Sequence, residues 1–237
     1  MTWGMGTPRL LHLAGQDLSL AVRRSATAAR MSLRLAPNGG VVVVLPVGVP
    51  EAEAERFARS QEAWIAGRLR ALPGRVALSP GITVPLMGLP HVIRHQPQAR
   101  RGVWAEAGEI NVSGREEHVP RRVEEFLRAE ARLVLAQRAR DLAGAIGRKV
   151  AAVTVRDTKS RWGSCTSDGR LSFSWRLILA PGFVLDYVVA HEVAHLAEMN
   201  HGPDFWRQVE AMVPDIKTPK SWLKRHGPEL HRYGTAP

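Results

Sequence analysis

"HEVAHLAEMNHG", residues 191–202, places three of the chain's nine histidines and two glutamates in twelve consecutive positions. The longer run "FVLDYVVAHEVAHLAEM", residues 183–199, is apolar on almost every side, the pattern of a helix buried in a core. Polar and charged groups in such a helix are costly to bury unless they are paired or bound to metal. His191 and His195 are four apart, so on a helix they share a face with ~5–6 Å between Cβ atoms, close enough to hold one ion. With Glu192 beside them this is the H-E-x-x-H arrangement, in which two imidazoles hold zinc and the glutamate takes a proton from water at the metal.

A catalytic zinc has three protein ligands and an open position, so a third ligand is needed. His201 is the best candidate, yet on a continuing helix it would stand ~9 Å further along the axis and well around the cylinder. The helix must therefore end, and "NHGP" at 200–203 supplies a stop. Asn200 tolerates a left-handed conformation, Gly202 is free of steric limits, and Pro203 forbids continuation while suiting the first turn of a new helix. Glu210, on that following helix, is the alternative third ligand.

Immediately upstream, "SRWGSCTSDGRLSFSWRLILAPG" carries Asp168-Gly169, a two-residue hairpin signal between strands. In the second strand Leu171, Phe173, Trp175 and Leu177 share one face and Ser172, Ser174 and Arg176 the other, so one face is expected to be buried. Pro181 can open the next helix. Further back, residues 18–48 read as strands, with "PNGG" at 37–40 as a turn before "VVVVL". Residues 51–72 read as one amphipathic helix, with "PG" just after it. Short strands joined by turns suit residues 78–114, and Val123, Phe126, Leu127, Ala131 and Val134 predict a long helix over 119–146. A domain boundary is expected near 112–118.

Composition narrows the classes. One cysteine, Cys165, excludes an intrachain disulfide framework and points to a reducing compartment. No secretory leader pattern or long apolar run is evident, so the expectation is a soluble, cytoplasmic chain with no membrane partner. Thirty-three Lys and Arg against twenty-two Asp and Glu give +11, which favours an anionic partner such as a nucleotide or nucleic acid. The basic residues are spread along the chain, however, and no nucleic-acid-binding motif accompanies them. Cys165 lacks a dedicated base and orienting carboxylate, so it is expected to pack beside the site and not to act as a nucleophile. Arg161 is a candidate contact to substrate or transition-state charge. Tyr187, His226, His231 and Tyr233 are candidate donors to an oxyanion, and spacing does not choose among them.

With "RWGSC" (161–165), "HEVAH" (191–195) and "NHGPDFW" (200–206) in this order, the chain resembles the YgjP-like metallopeptidases, zincin-type proteins related to the SprT-like peptidases. The likeness runs from about residue 26 through "SWLKRHGPELHRY" (221–233) and includes "ITVPLMGLPHVIRH" (82–95). It implies an α+β protein: a hairpin-rich part with one helix at 1–115, then a zincin-like catalytic part at 116–237, with zinc on His191, His195 and His201 and with Glu192 as base. By the same resemblance the strand Leu171, Ser172, Phe173, Ser174 and Trp175 pairs with an extended peptide substrate. The spacing also looks like the extended metzincin motif, but Glu198 stands where those proteins have glycine and no methionine turn is evident. Two other readings use the same residues. One is a metal-dependent hydrolase of nucleoside triphosphates or related phosphoanhydrides. The other is a nucleic-acid-binding protein with a structural, four-ligand zinc.

Overall fold

The structure, a computed structural model, describes residues 9–35, 40–71, 74–158 and 160–234. The "PNGG" turn and the "PG" helix stop fall largely outside the described residues. The chain divides into two compact units, residues 1–74 and 75–237.

In the first unit, β1 (Arg9–Leu13), β2 (Gln16–Ser25), β3 (Ser32–Leu35) and β4 (Val41–Pro46) form a sheet in the order β1-β2-β4-β3. Alternation along β4 buries Val41, Val43 and Leu45, which join Leu11, Leu13, Leu18 and Leu20 in a core closed by Ala54, Ala58 and Ile65. The sequence carries no turn signal after β1, because its hairpin turns on Ala14-Gly15, where both residues are left-handed at φ 53° and 76°. That is the turn geometry Asn-Gly or Asp-Gly normally signals. The single helix expected over 51–72 is instead two, α1 (Ala52–Ser60) and α2 (Glu62–Ala71). At the break Gln61 leaves helical geometry (φ −103°, ψ 16°), and the Ser60 hydroxyl donates back to the Phe57 carbonyl at 2.8 Å.

The second unit begins with β5 (Thr83–Leu86), β6 (Leu89–His95), β7 (Val103–Glu106) and β8 (Glu109–Val112), in the order β5-β6-β8-β7. Its two hairpins again turn on residue-glycine pairs, Met87-Gly88 and Ala107-Gly108, with all four φ positive. Val84, Ile93, Ile110 and Val112 of this sheet share one apolar core with the long helix α3 (Val119–Ala145) and with α4 (Gly182–Ala194). The expected boundary near 112–118 therefore moves to 74–75, because those four side chains are buried with the second unit's helices. The helix expected over 119–146 forms, and ends in a left-handed Gly147 (φ 66°) whose successor Arg148 donates to the Ala143 carbonyl at 2.8 Å.

The remaining strands, β9 (Ala152–Arg156), β10 (Gly163–Cys165) and β11 (Arg170–Ser174), lie in the order β10-β11-β9, with β9 parallel and β10 antiparallel to β11. The hairpin does not turn on Asp168-Gly169 as a two-residue loop. Thr166 N–H donates to Arg170, Gly169 N–H donates back to Thr166, and Gly169 alone is left-handed (φ 79°), leaving a three-residue loop. The strand also ends sooner than its alternation implies. Trp175–Leu179 form a 3-10 turn in which every side chain is buried, Arg176 included. That arginine pairs with Asp157 and donates to the Tyr233 carbonyl at 3.3 Å. Burial works against a charged Asp157, but Arg176 and Arg128 hold its carboxyl below the ordinary range.

Two contacts fix the start of α4. Arg138 of α3 donates to the Gly182 carbonyl at 3.0 Å and pairs with Asp186. A Cβ on Gly88 at the β5–β6 hairpin tip would lie 2.8 Å from the Pro181 Cα, so only glycine lets that hairpin close over the helix N-terminus. α5 (Pro203–Met212) and α6 (Lys217–Leu230) complete the unit. No helix among the described residues is long and apolar enough to cross a membrane.

Candidate metal centre and catalytic cleft

His191 and Glu192 lie in the last turn of α4 and His195 caps it, where the chain tightens into turns with Leu196 N–H on Val193 and Ala197 N–H on Ala194. The helix thus ends five residues before the expected "NHGP" stop, and by different means. Neither Asn200 nor Gly202 (φ −76°) is left-handed; the Gly202 N–H closes a tight turn on the Asn200 carbonyl at 2.8 Å, and Gly202 then caps α5 with Pro203 in its first turn. The consequence is the one the spacing required. His201 comes back over the helix end, its Nε2 3.1 Å from the Nε2 of His191, and one nitrogen from each of His191, His195 and His201 falls within 4.8 Å of the others. Glu210 is exposed and outside this group.

Hydrogen bonding settles one tautomer. His195 Nδ1 is 3.0 Å from the Glu198 carbonyl, which can only accept, so the ring proton is on Nδ1 and the Nε2 lone pair is free. Glu198, the residue that departs from the metzincin pattern, therefore contributes through its backbone. Burial, then His195, His201 and Lys220, push His191 down to about 4, so it is a neutral donor at pH 7. Phe205, fully buried, lies 4.6–5.0 Å ring to ring from all three imidazoles. Three imidazoles converging at these distances fit a single divalent ion, and a nitrogen donor set suits zinc.

Glu192 faces a cleft of about 310 Å³ lined also by Arg161, Trp162, Gly163, Tyr187, His191 and Lys220. It is 7% exposed, and burial, opposed in part by Arg161, pushes its carboxyl up to about 7. A carboxyl poised near neutrality suits proton transfer in both directions. Its neighbour across the cleft is Gly163 of β10, where a Cβ would lie 2.6 Å from both Cγ and Oε1 of Glu192. The glycine of "RWGSC" is thus required by the glutamate's position, which no local signal announced. Gly163 has no positive φ, so Gly163→Ala should disturb Glu192 sterically and not strain the strand. We expect turnover to fall by about tenfold or more with metal content retained, since sub-ångström misplacement of a catalytic group is costly. Turnover equal to wild type would mean that Glu192 moves aside freely.

Of the proposed oxyanion donors, only Tyr187 lines the cleft, its ring 6.1 Å from that of His191. His231 stacks on Trp162 at 5.1 Å, His226 faces Glu229 at 3.6 Å, and the Tyr233 carbonyl is held by Arg176. Arg161 is in the cleft. The other expected substrate contacts are not. Leu171, Phe173, Ser174 and Trp175 are buried, and β11 has β10 on one side and β9 on the other, so no edge is left for a peptide. Only Ser172 is partly exposed, within the central strand. The sheet edge beside Glu192 is β10.

Cys165 ends β10, and burial, with Glu192 and Asp168, pushes its thiol up to about 11. It is protonated and poorly nucleophilic at neutral pH. Cys165→Ser should therefore keep most activity; a loss of more than about a hundredfold at unchanged metal content would give the thiol a role in the chemistry.

Three converging imidazoles beside a buried carboxylate have the composition of a metal-dependent hydrolase centre. The chain belongs to the YgjP-like family: the family model, described as "YgjP-like, metallopeptidase domain", matches residues 29–226. No curated protein matches the chain. Among solved structures, the crystal structure of the metallopeptidase zymogen of Pyrococcus abyssi abylysin is 24% identical over 43% of this chain and 96% of that one, with a TM-score of 0.34. That likeness is too slight to compare the two sites. At the level of the family, the chain is a metal-dependent peptidase.

Proposed function

We propose that the chain is a zinc-dependent, cytoplasmic peptidase with His191, His195 and His201 as ligands and Glu192 as general base and acid, in a zincin-like catalytic part. The observation that carries this reading is the placement of the buried Glu192 carboxyl in a cleft that it shares with His191, one of the three converging imidazoles. A bound zinc ion would supply Lewis acidity that makes water more acidic and polarises a carbonyl. Glu192 takes the proton from the attacking water and returns it to the leaving amine; its raised pKa serves both steps. Tyr187 lines the cleft as a neutral hydroxyl, its pKa raised by burial and by Glu192, and can donate to the developing oxyanion. An extended peptide would lie along the β10 edge, pairing with Gly163–Cys165 and not with β11.

The two rival readings gain nothing. A structural zinc calls for a closed four-ligand site, whereas the described residues bring together three imidazoles. Phosphoanhydride hydrolysis has no support from the family, whose domain is described as a metallopeptidase. Purified protein should contain about one zinc per chain and cleave denatured polypeptides, and a chelator should abolish cleavage that added zinc restores. Hydrolysis of nucleoside triphosphates with no polypeptide cleaved would overturn the assignment.

A further inference from the structure

The charged lining of the cleft is lopsided. Its one carboxylate, Glu192, serves as the base, while Arg161 and Lys220 are both cationic and neither forms an ion pair with a carboxylate among the described residues. Lys220, on α6, is held in place by an aromatic ring: its Nζ lies 3.9 Å from the Trp206 centroid, and that indole is 5.9 and 6.0 Å from the rings of His191 and His201. A flexible lysine is thereby seated at the rim of the metal centre. Arg161 comes from a separate element, the segment entering β10, and reaches the same cleft.

The positive character continues away from the chemistry along α6. Lys217, Arg225 and His226 line a second pocket of about 340 Å³ with Thr218, Ser221 and Trp222. Glu229 is the one acidic residue of α6, and it faces His226 at 3.6 Å. Cations that share a half-enclosed cleft with the base meet whatever is held at the reacting bond. They would attract a carboxylate there and repel a lysine or arginine, so selection comes from both signs.

Building on the peptidase reading, we infer that the cleft selects peptides with an acidic side chain beside the bond to be cut, the carboxylate lying between Arg161 and Lys220, with further acidic residues favoured along α6. A polypeptide fits these observations better than a nucleic acid, because the two cations nearest the chemistry lie in the cleft that holds the general base and not on a separate surface.

The test uses the zinc-loaded full chain and sets of peptides identical except for Glu, Gln or Lys at single positions around the cleaved bond. At one or more positions kcat/KM should favour Glu over Gln on the order of tenfold, with Lys poorest, as expected for a charge pair partly shielded from water. Lys220→Glu should invert the order between Glu and Lys peptides, and Arg161→Gln should shrink the Glu preference. Equal rates for Glu and Gln peptides overturn the inference, as does a Glu preference unchanged in Lys220→Glu. A uniform loss on all peptides in both variants also overturns it and assigns the cations to transition-state charge. Equal peptide rates with salt-sensitive inhibition by a short single-stranded DNA give the surface to a nucleic acid instead. Failure of the wild-type protein to cut any peptide removes the peptidase reading itself, a result distinct from cleavage without charge preference.

Discussion

Glu192→Gln should yield a protein that is folded, binds zinc as the wild type does and is nearly inactive. Glutamine keeps the volume of the side chain that packs against Gly163 and fills the back of the cleft, so neither β10 nor the last turn of α4 has reason to move. It cannot accept a proton as a carboxylate does, and loss of a positioned general base costs ~10²–10⁴-fold in rate. Burial favours the neutral form of this residue, so a neutral amide should be tolerated there at no loss of stability. Metal analysis, thermal melting and turnover of a denatured polypeptide check the three parts. Wild-type turnover with normal zinc content would remove the catalytic assignment and leave a metal site of another kind.

His201→Ala should weaken zinc binding by more than about a hundredfold, beyond the ~10–100-fold typical of losing an outer-shell partner. It removes one of the three nitrogens that lie within 4.8 Å of one another, and among the described residues no other histidine, cysteine or carboxylate belongs to the group. Glu210→Ala should leave zinc binding unchanged, since Glu210 is exposed on α5 and outside the group. Competition with a chromogenic chelator measures both affinities. If the two variants exchanged behaviours, the third-ligand role would pass to Glu210, and the closure of the chain over the helix end would have to differ from the one described.

The centre was legible because its parts are local. His191, Glu192 and His195 lie within a single helical turn and a half, where backbone periodicity alone sets which side chains face together. His201 was legible for a related reason: Pro203 cannot continue a helix, so the chain had to turn nearby, although the turn that formed uses a tight Asn200–Gly202 contact and no left-handed residue. The long helix α3 followed from an uninterrupted apolar period of the same kind. Less local features were read wrongly. Alternation over 171–177 correctly marked a buried face, but alternation is silent on whether a strand is central or at an edge, and β11 is central.

By itself, then, the sequence picked out the three histidines that converge and the glutamate next to the first of them, since these four side chains lie within eleven positions of one another. Only the tertiary structure decided that Gly163 must be glycine to admit Glu192, that Trp206 seats Lys220 at the rim of the cleft, that β10 is the edge strand beside Glu192, and that the sheet of residues 83–112 belongs to the second unit. These rest on contacts between separate secondary-structure elements. They are fixed by which apolar faces close on one another in a shared core, and no propensity or spacing within either segment encodes that choice.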